Sequence, residues 1–198
     1  YLWPLPQTFC VINGPKDMSL RVSGIYYNIG VNLSGIRVSF NNLLFSNNSN
    51  SSFGSSFMSS CGATSTLNNC VFINNSAQHQ AGGVFANGDT VIINGCSFKN
   101  NYTTDAGGEG GGAAFNNGGY MRITNSTFSN NTSASTSATG AGGAVKNHAG
   151  GRMDVINCTF YNNHAQSRGG ALQNAPNATC RISNCIFVGN TAAGEGQD

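Results

Sequence analysis

The chain is 198 residues long, the size of one domain, and only 8% of it is charged, with a formal net charge of +2 at pH 7. It has no basic run or patch of the kind a nucleic-acid partner requires, and no apolar stretch of the roughly 18 residues needed to span a membrane as a helix. No leader segment is visible at Tyr1, which a mature secreted chain would already have lost.

Residues 1–34 read as an N-terminal arm or cap followed by an irregular first coil. The opening YLWPLP is apolar and aromatic and carries two prolines. It reads either as a cap over the end of the first coil or as an arm that docks on a neighbouring molecule. Tyr1, Leu2, Trp3 and Leu5 are the self-assembly candidates there. Ser19–Ile36 alternates loosely between apolar and polar residues.

Residues 35–190 repeat one unit. A Phe-x-x-Asn element recurs at Phe45–Asn48, Phe72–Asn75, Phe98–Asn101, Phe128–Asn131, Phe160–Asn163 and Phe187–Asn190, in steps of 27, 26, 30, 32 and 27 residues. A Gly-Gly element runs Gly82–Asn87, Gly111–Asn116, Gly142–Asn147 and Gly169–Asn174, with a weaker copy at Gly54–Ser59. The stretch from each Gly element to the next Phe is nearly constant in length. The stretch from Phe to the next Gly-Gly varies, with insertions at Tyr102–Gly110 and Ser133–Ala141. One wall is therefore fixed and the other side carries loops.

Aligned on the Phe, the chain forms apolar columns. Seven residues earlier stand Val38, Ser65, Val91, Met121, Met153 and Cys180. Five earlier stand Phe40, Leu67, Ile93, Ile123, Val155 and Ile182. Two earlier stand Leu43, Cys70, Cys96, Ser126, Cys158 and Cys185. The residues between are mostly polar, the alternation of a half-buried strand. The ordered columns argue against the disorder that so much Gly, Asn, Ser and Thr would otherwise suggest. The expected fold is all-β: a single-domain right-handed parallel β-helix of about six to seven coils, with neighbouring coils about 4.8 Å apart. Two Asn ladders follow. One is Asn42, Asn69, Asn125, Asn157 and Asn184, broken at Gly95; the other is Asn48, Asn75, Asn101, Asn131, Asn163 and Asn190. Asn suits left-handed corners, and stacked amides bond one another.

The paired signatures GGAV at Gly142, GGAL at Gly169 and FxxN make the repeat region resemble chlamydial polymorphic membrane proteins and related secreted β-helix proteins. Those family members are autotransporter adhesins with a β-helical passenger and a C-terminal membrane barrel. The resemblance implies the fold and an extracellular or cell-surface setting. Only TAAGEGQD follows Asn190. Residues 191–198 read as a tail, so autotransport is not expected to carry over.

Cys70 and Cys96 fall in one column on adjacent coils, as do Cys158 and Cys185. Two readings stand: small buried hydrophobes with free thiols, or disulfides between coils. Cys10, Cys61 and Cys180 complete an odd total of seven, at no zinc-site spacing. N-glycosylation sequons begin at Asn32, Asn47, Asn50, Asn74, Asn101, Asn130, Asn131 and Asn177, with N-glycans expected as the covalent additions. Asn125 and Asn157 also begin sequons, but are expected to be buried in their ladder.

Catalysis is not expected. The seven acidic residues are scattered, which is poor material for hydrolysing polysaccharide. Arg122, Asp154 and Arg181 share a column and would stack outward, as a surface ion-pair ladder or as a grip on an anionic sugar. His79, His148 and His164 lack ligand spacing, and no GxSxG elbow occurs. No cofactor or metal is expected. The expected role is structural: an extracellular, N-glycosylated β-helix that stacks head-to-tail with copies of itself, through Tyr1–Pro6 and the Phe187 coil, into a filament. The alternative is a monomeric adhesin stalk that binds a glycan or receptor. A polysaccharide-active enzyme ranks below both.

Overall fold

The computed structural model describes residues 9–13, 21–22, 25–26, 37–50, 56–60, 62–104, 110–137 and 140–194. Every regular element among them is a strand, and the strands join in parallel into four sheets of seven, seven, six and six. The chain is a parallel β-helix. Five consecutive coils contribute a strand to all four sheets, and partial coils flank them. The expected six to seven coils count those partial coils as whole.

The long sheet comprises Phe9–Asn13, Arg37–Asn41, Thr64–Asn68, Thr90–Asn94, Tyr120–Thr124, Arg152–Ile156 and Thr179–Ser183. It therefore reaches back into the stretch read as arm and irregular first coil. At the other end, Thr191–Ala192 still pairs with His164–Ala165. Strands of the long sheet alternate as the columns predicted. Val91, Ile93, Met121, Ile123, Met153 and Val155 are fully buried, and Ser65 fills the one polar place in its column at 1% exposure.

The next sheet carries the Phe column. Phe45, Phe72, Phe98, Phe128, Phe160 and Phe187 stack face to face with centroid separations of 4.4, 4.7, 4.7, 4.8 and 4.8 Å and nearly parallel rings. That spacing is the strand separation of a sheet, so the backbone period sets the ring period. The corners on either side need left-handed backbone, which Asn supplies. Asn42, Asn69, Asn125, Asn157 and Asn184 have φ between 49° and 57°, and Gly95 takes the place of Asn with φ 64°.

The Phe-x-x-Asn spacing has a specific cause. In each Asn pair the first residue (Asn47, Asn74, Asn100, Asn130, Asn162) turns the corner with φ of 51–55°. The second points inward and bonds three ways. Asn101 Nδ2 donates to Asn131 Oδ1 of the next coil at 3.0 Å and to the Phe72 carbonyl of the previous coil at 2.9 Å, while Asn131 Oδ1 also accepts from Asn101 N at 3.0 Å. The same pattern links Asn75 to Asn101, Asn131 to Asn163 and Asn163 to Asn190. A buried amide is tolerable only when its polar atoms are bonded, and this ladder bonds them.

The Gly-Gly wall is a close approach of backbones. A Cβ on Gly83 would lie 2.6 Å from the Ala113 carbonyl and 3.2 Å from the Phe98 ring. The strands that follow have both faces buried. Val84, Ala114 and Val145 face the main core, and Met58, Phe85 and Phe115 form a second cluster outside the wall. The inserted loops reach this outer side: Lys146, fully buried in register with Phe115, donates to the Gly140 carbonyl at 2.6 Å.

The register corrects one alignment. Ala86 pairs with Asn116, and Asn87 with Asn117. The first Gly-Gly copy is therefore displaced by one residue: Ala81, not Gly82, stands beside Gly111. Asn87 faces solvent instead of joining Asn116, Asn147 and Asn174.

Candidate functional site

Asn47, Asn74, Asn130 and Asn177 are exposed, the first three on tight corners. Asn32 and the side chain of Asn50 lie outside the described residues. Asn101 and Asn131 are enclosed by the fold, where the sequence expectation counts them with the surface sequons. Both are 0% exposed, and their Nδ2 atoms are engaged in the ladder. The opposite correction applies to Asn125 and Asn157, which lie exposed on corners. In each Asn pair the first residue turns outward at the corner and the second inward.

Cys70, Cys96 and Cys158 are buried, Cys180 and Cys185 half-buried, and all five are free thiols. Cys96 Sγ accepts from Cys70 N at 3.4 Å, and Cys185 Sγ from Cys158 N at 3.4 Å. Each of the four stacked thiols donates to a backbone carbonyl, as Cys96 does to Leu67 O at 3.4 Å. Contact with the Cys70 thiol, then burial, raises Cys96 well above the ordinary thiol range. Burial pushes Cys158 up to about 11, and burial followed by the nearby Asp154 charge does the same for Cys180. Such thiols behave as packing groups, not nucleophiles. Cys10 and Cys61 have no described side chain.

Two carboxylates are described, and they are not paired with each other. Asp89 is 2% exposed and accepts from Ser59 Oγ at 2.6 Å and from Gly62 N at 2.7 Å, tying one corner to the coil before it. Asp154 lies on the outer face of the long sheet, in register between Arg122 and Arg181. Its partners are Tyr120, whose hydroxyl donates at 2.7 Å, and Arg152 at 3.5 Å. The sequence reading missed both, because they lie two residues away from the arginine column. Arg152 also lies over the Tyr120 ring, 5.1 Å from its centroid. The hydrogen bond to Asp154, then burial, raises the Tyr120 phenol.

His164 Nδ1 lies 2.9 Å from Thr191 Oγ1, and the His148 ring packs 6.1 Å from Phe115. Among the described residues no three His, Cys, Asp or Glu side chains gather as a metal site. No helix among them is long and apolar enough to cross a membrane. Of the self-assembly candidates, Phe187 stacks on Phe160 and is half-buried; Tyr1, Leu2, Trp3 and Leu5 lie outside the described residues.

A shallow groove of about 440 Å³ runs along the outer face of the long sheet. It is lined by Asn68, Asn94, Arg122, Thr124, Asn125 and Asn157, with Ile92 and Ile156. Its amides are fixed from coil to coil, since Asn125 Nδ2 donates to Asn94 Oδ1 at 2.9 Å and Asn157 Nδ2 to Asn125 Oδ1 at 3.2 Å.

Comparison with known proteins returned no match among curated proteins and none among solved structures. The Chlamydia polymorphic membrane protein repeat matches at residues 125–148 and 157–175. Each match begins at the corner Asn before a stacked Phe and runs through the following Gly-Gly element, which is one structural unit of this helix. The repeat of this β-helix resembles that of the chlamydial polymorphic membrane proteins.

Proposed function

We propose that this protein is a non-catalytic, extracellular or cell-surface β-helix that stacks end to end with copies of itself, carrying N-glycans on its exposed corners. The observation behind the stacking is the open edge of the last described coil. Ile182 is 48% exposed, whereas Val155, one coil earlier in the same column, is 0% exposed because the next coil covers it. Leu67, Ile93, Ile123 and Val155, the earlier members of this inward column, are each covered by a further coil of the same repeat, and a second copy supplies one over Ile182. The repeat's resemblance to surface proteins and the exposed sequons at Asn47, Asn74, Asn130 and Asn177 support the setting.

Sedimentation velocity across the micromolar range tests the stacking. Wild-type protein is expected to sediment faster as concentration rises, and Ile182→Arg is expected to hold it at the single-particle value. Concentration-independent sedimentation of the wild type contradicts the proposal. The second reading, a monomeric recognition stalk, is favoured by the arginine row and the amide-lined groove.

A further inference from the structure

The outer face of the long sheet is cationic. Arg37, Arg122, Arg152 and Arg181 are exposed there, and Asp154 is its only carboxylate among the described residues. Arg152 takes up that carboxylate and is held in place by the Tyr120 ring. Arg122 and Arg181 flank Asp154 on the two neighbouring strands, about 10 Å apart at the usual strand spacing. Neither forms an ion pair with any described residue, although Asp154 is next to both in register. Two guanidinium groups are thus presented to solvent along the helix axis.

Arg122 also lines the amide groove, so the charged row and the groove are one continuous surface. We propose that this surface binds an extended anionic polysaccharide, lying along the helix axis, with sulfate or carboxylate groups on Arg122 and Arg181 and sugar hydroxyls on the groove amides. The chemistry selects this class. Guanidinium forks pair with sulfate and carboxylate oxygens. Amides locked into ladders by Asn125 and Asn157 present donors and acceptors at fixed intervals, at little ordering cost on binding. A single-stranded nucleic acid needs aromatic faces on which bases stack, and the groove lining contains none. The surface is lateral, so the inference stands independently of end-to-end stacking.

The test is binding of the full chain to immobilised heparin over a salt series, with the R122A/R181A double variant and with Lys99→Ala as control. Lys99 is exposed on a different sheet. Thermal unfolding of each variant checks that the fold is kept. The expected result is salt-sensitive binding that R122A/R181A weakens by about tenfold or more and Lys99→Ala leaves unchanged. Competition by hyaluronan or chondroitin sulfate, and not by duplex DNA or phosphatidylserine vesicles, is expected. Absence of heparin binding at low salt overturns the proposal. So does equal weakening by Lys99→Ala, or preferred binding of DNA or vesicles that depends on the same arginines.

Discussion

Ala86 lies beside Asn116 on the neighbouring coil, and the Asn116 side-chain oxygen is buried with no hydrogen-bond partner. Asn116 begins a ladder that continues through Asn147 and Asn174, each Nδ2 donating 2.8 Å to the next Oδ1. A buried acceptor left unbonded costs about 1–3 kcal/mol. The one-residue displacement of the Gly-Gly copy puts a methyl group where the ladder needs an amide. Ala86→Asn is expected to supply the missing donor and raise the thermal midpoint by a few degrees, at about 2–4 °C per kcal/mol for a chain of this size. An unchanged or lower midpoint would mean that the extra volume outweighs the hydrogen bond.

Replacing Asn131 by Leu removes the acceptor that serves Asn101 N and Nδ2 and the donor to the Phe98 carbonyl. With the Asn131 Nδ2 bond to Asn163 Oδ1, four buried hydrogen bonds are lost together. The expected cost exceeds about 3 kcal/mol, readable as a drop in the denaturation midpoint. The corner variant Asn130→Gly keeps the left-handed backbone and is expected to cost less than about 1 kcal/mol.

Alkaline pH is expected to destabilise the fold. Cys158 and Cys180 titrate at about 11 when folded, against an ordinary thiol value of 9.0. Between these values the native state keeps protons that the unfolded chain has lost, so stability falls as pH rises. Tyr120 shifts in the same direction. Urea midpoints are expected to be flat below the ordinary thiol range and to fall through about pH 9–11. Cys158→Ser removes one titrating thiol and should reduce that slope; a slope unchanged in this variant would assign it elsewhere.

Expression in a glycosylating host, followed by glycopeptide mapping, tests the corner assignment. Glycans are expected on Asn47, Asn74, Asn130 and Asn177, but not on Asn101 or Asn131, which the folded core encloses. Occupancy at Asn101 or Asn131 in folded protein would contradict the ladder.

The Phe column and both Asn ladders were legible in the sequence because a parallel β-helix stacks like on like: one residue type recurring at one place in the unit is the contact itself. Three things were not. The roles of the two residues in each Asn pair are set by backbone direction, which spacing alone does not carry. The displacement at Gly82 hides because Gly82 and Asn87 each lie one residue after the true register positions, Ala81 and Ala86, and so keep the usual Gly-to-Asn spacing. The burial of Phe85, Phe115 and Lys146 outside the wall depends on loops from other parts of the unit folding over it, so a strand-period reading assigns those positions to solvent. On the long sheet, Arg122, Asp154 and Arg181 were correctly placed in one row, but the ion-pair partner of Asp154 proved to be Arg152 on its own strand.

Electron microscopy of the native protein at micromolar concentration tests the central claim most directly. The account predicts unbranched filaments whose axial repeat is roughly 30 Å or slightly more, the height of a seven-stranded sheet at the usual strand spacing, and their loss in Ile182→Arg. Uniform single particles at every concentration, in wild type and variant alike, would contradict it.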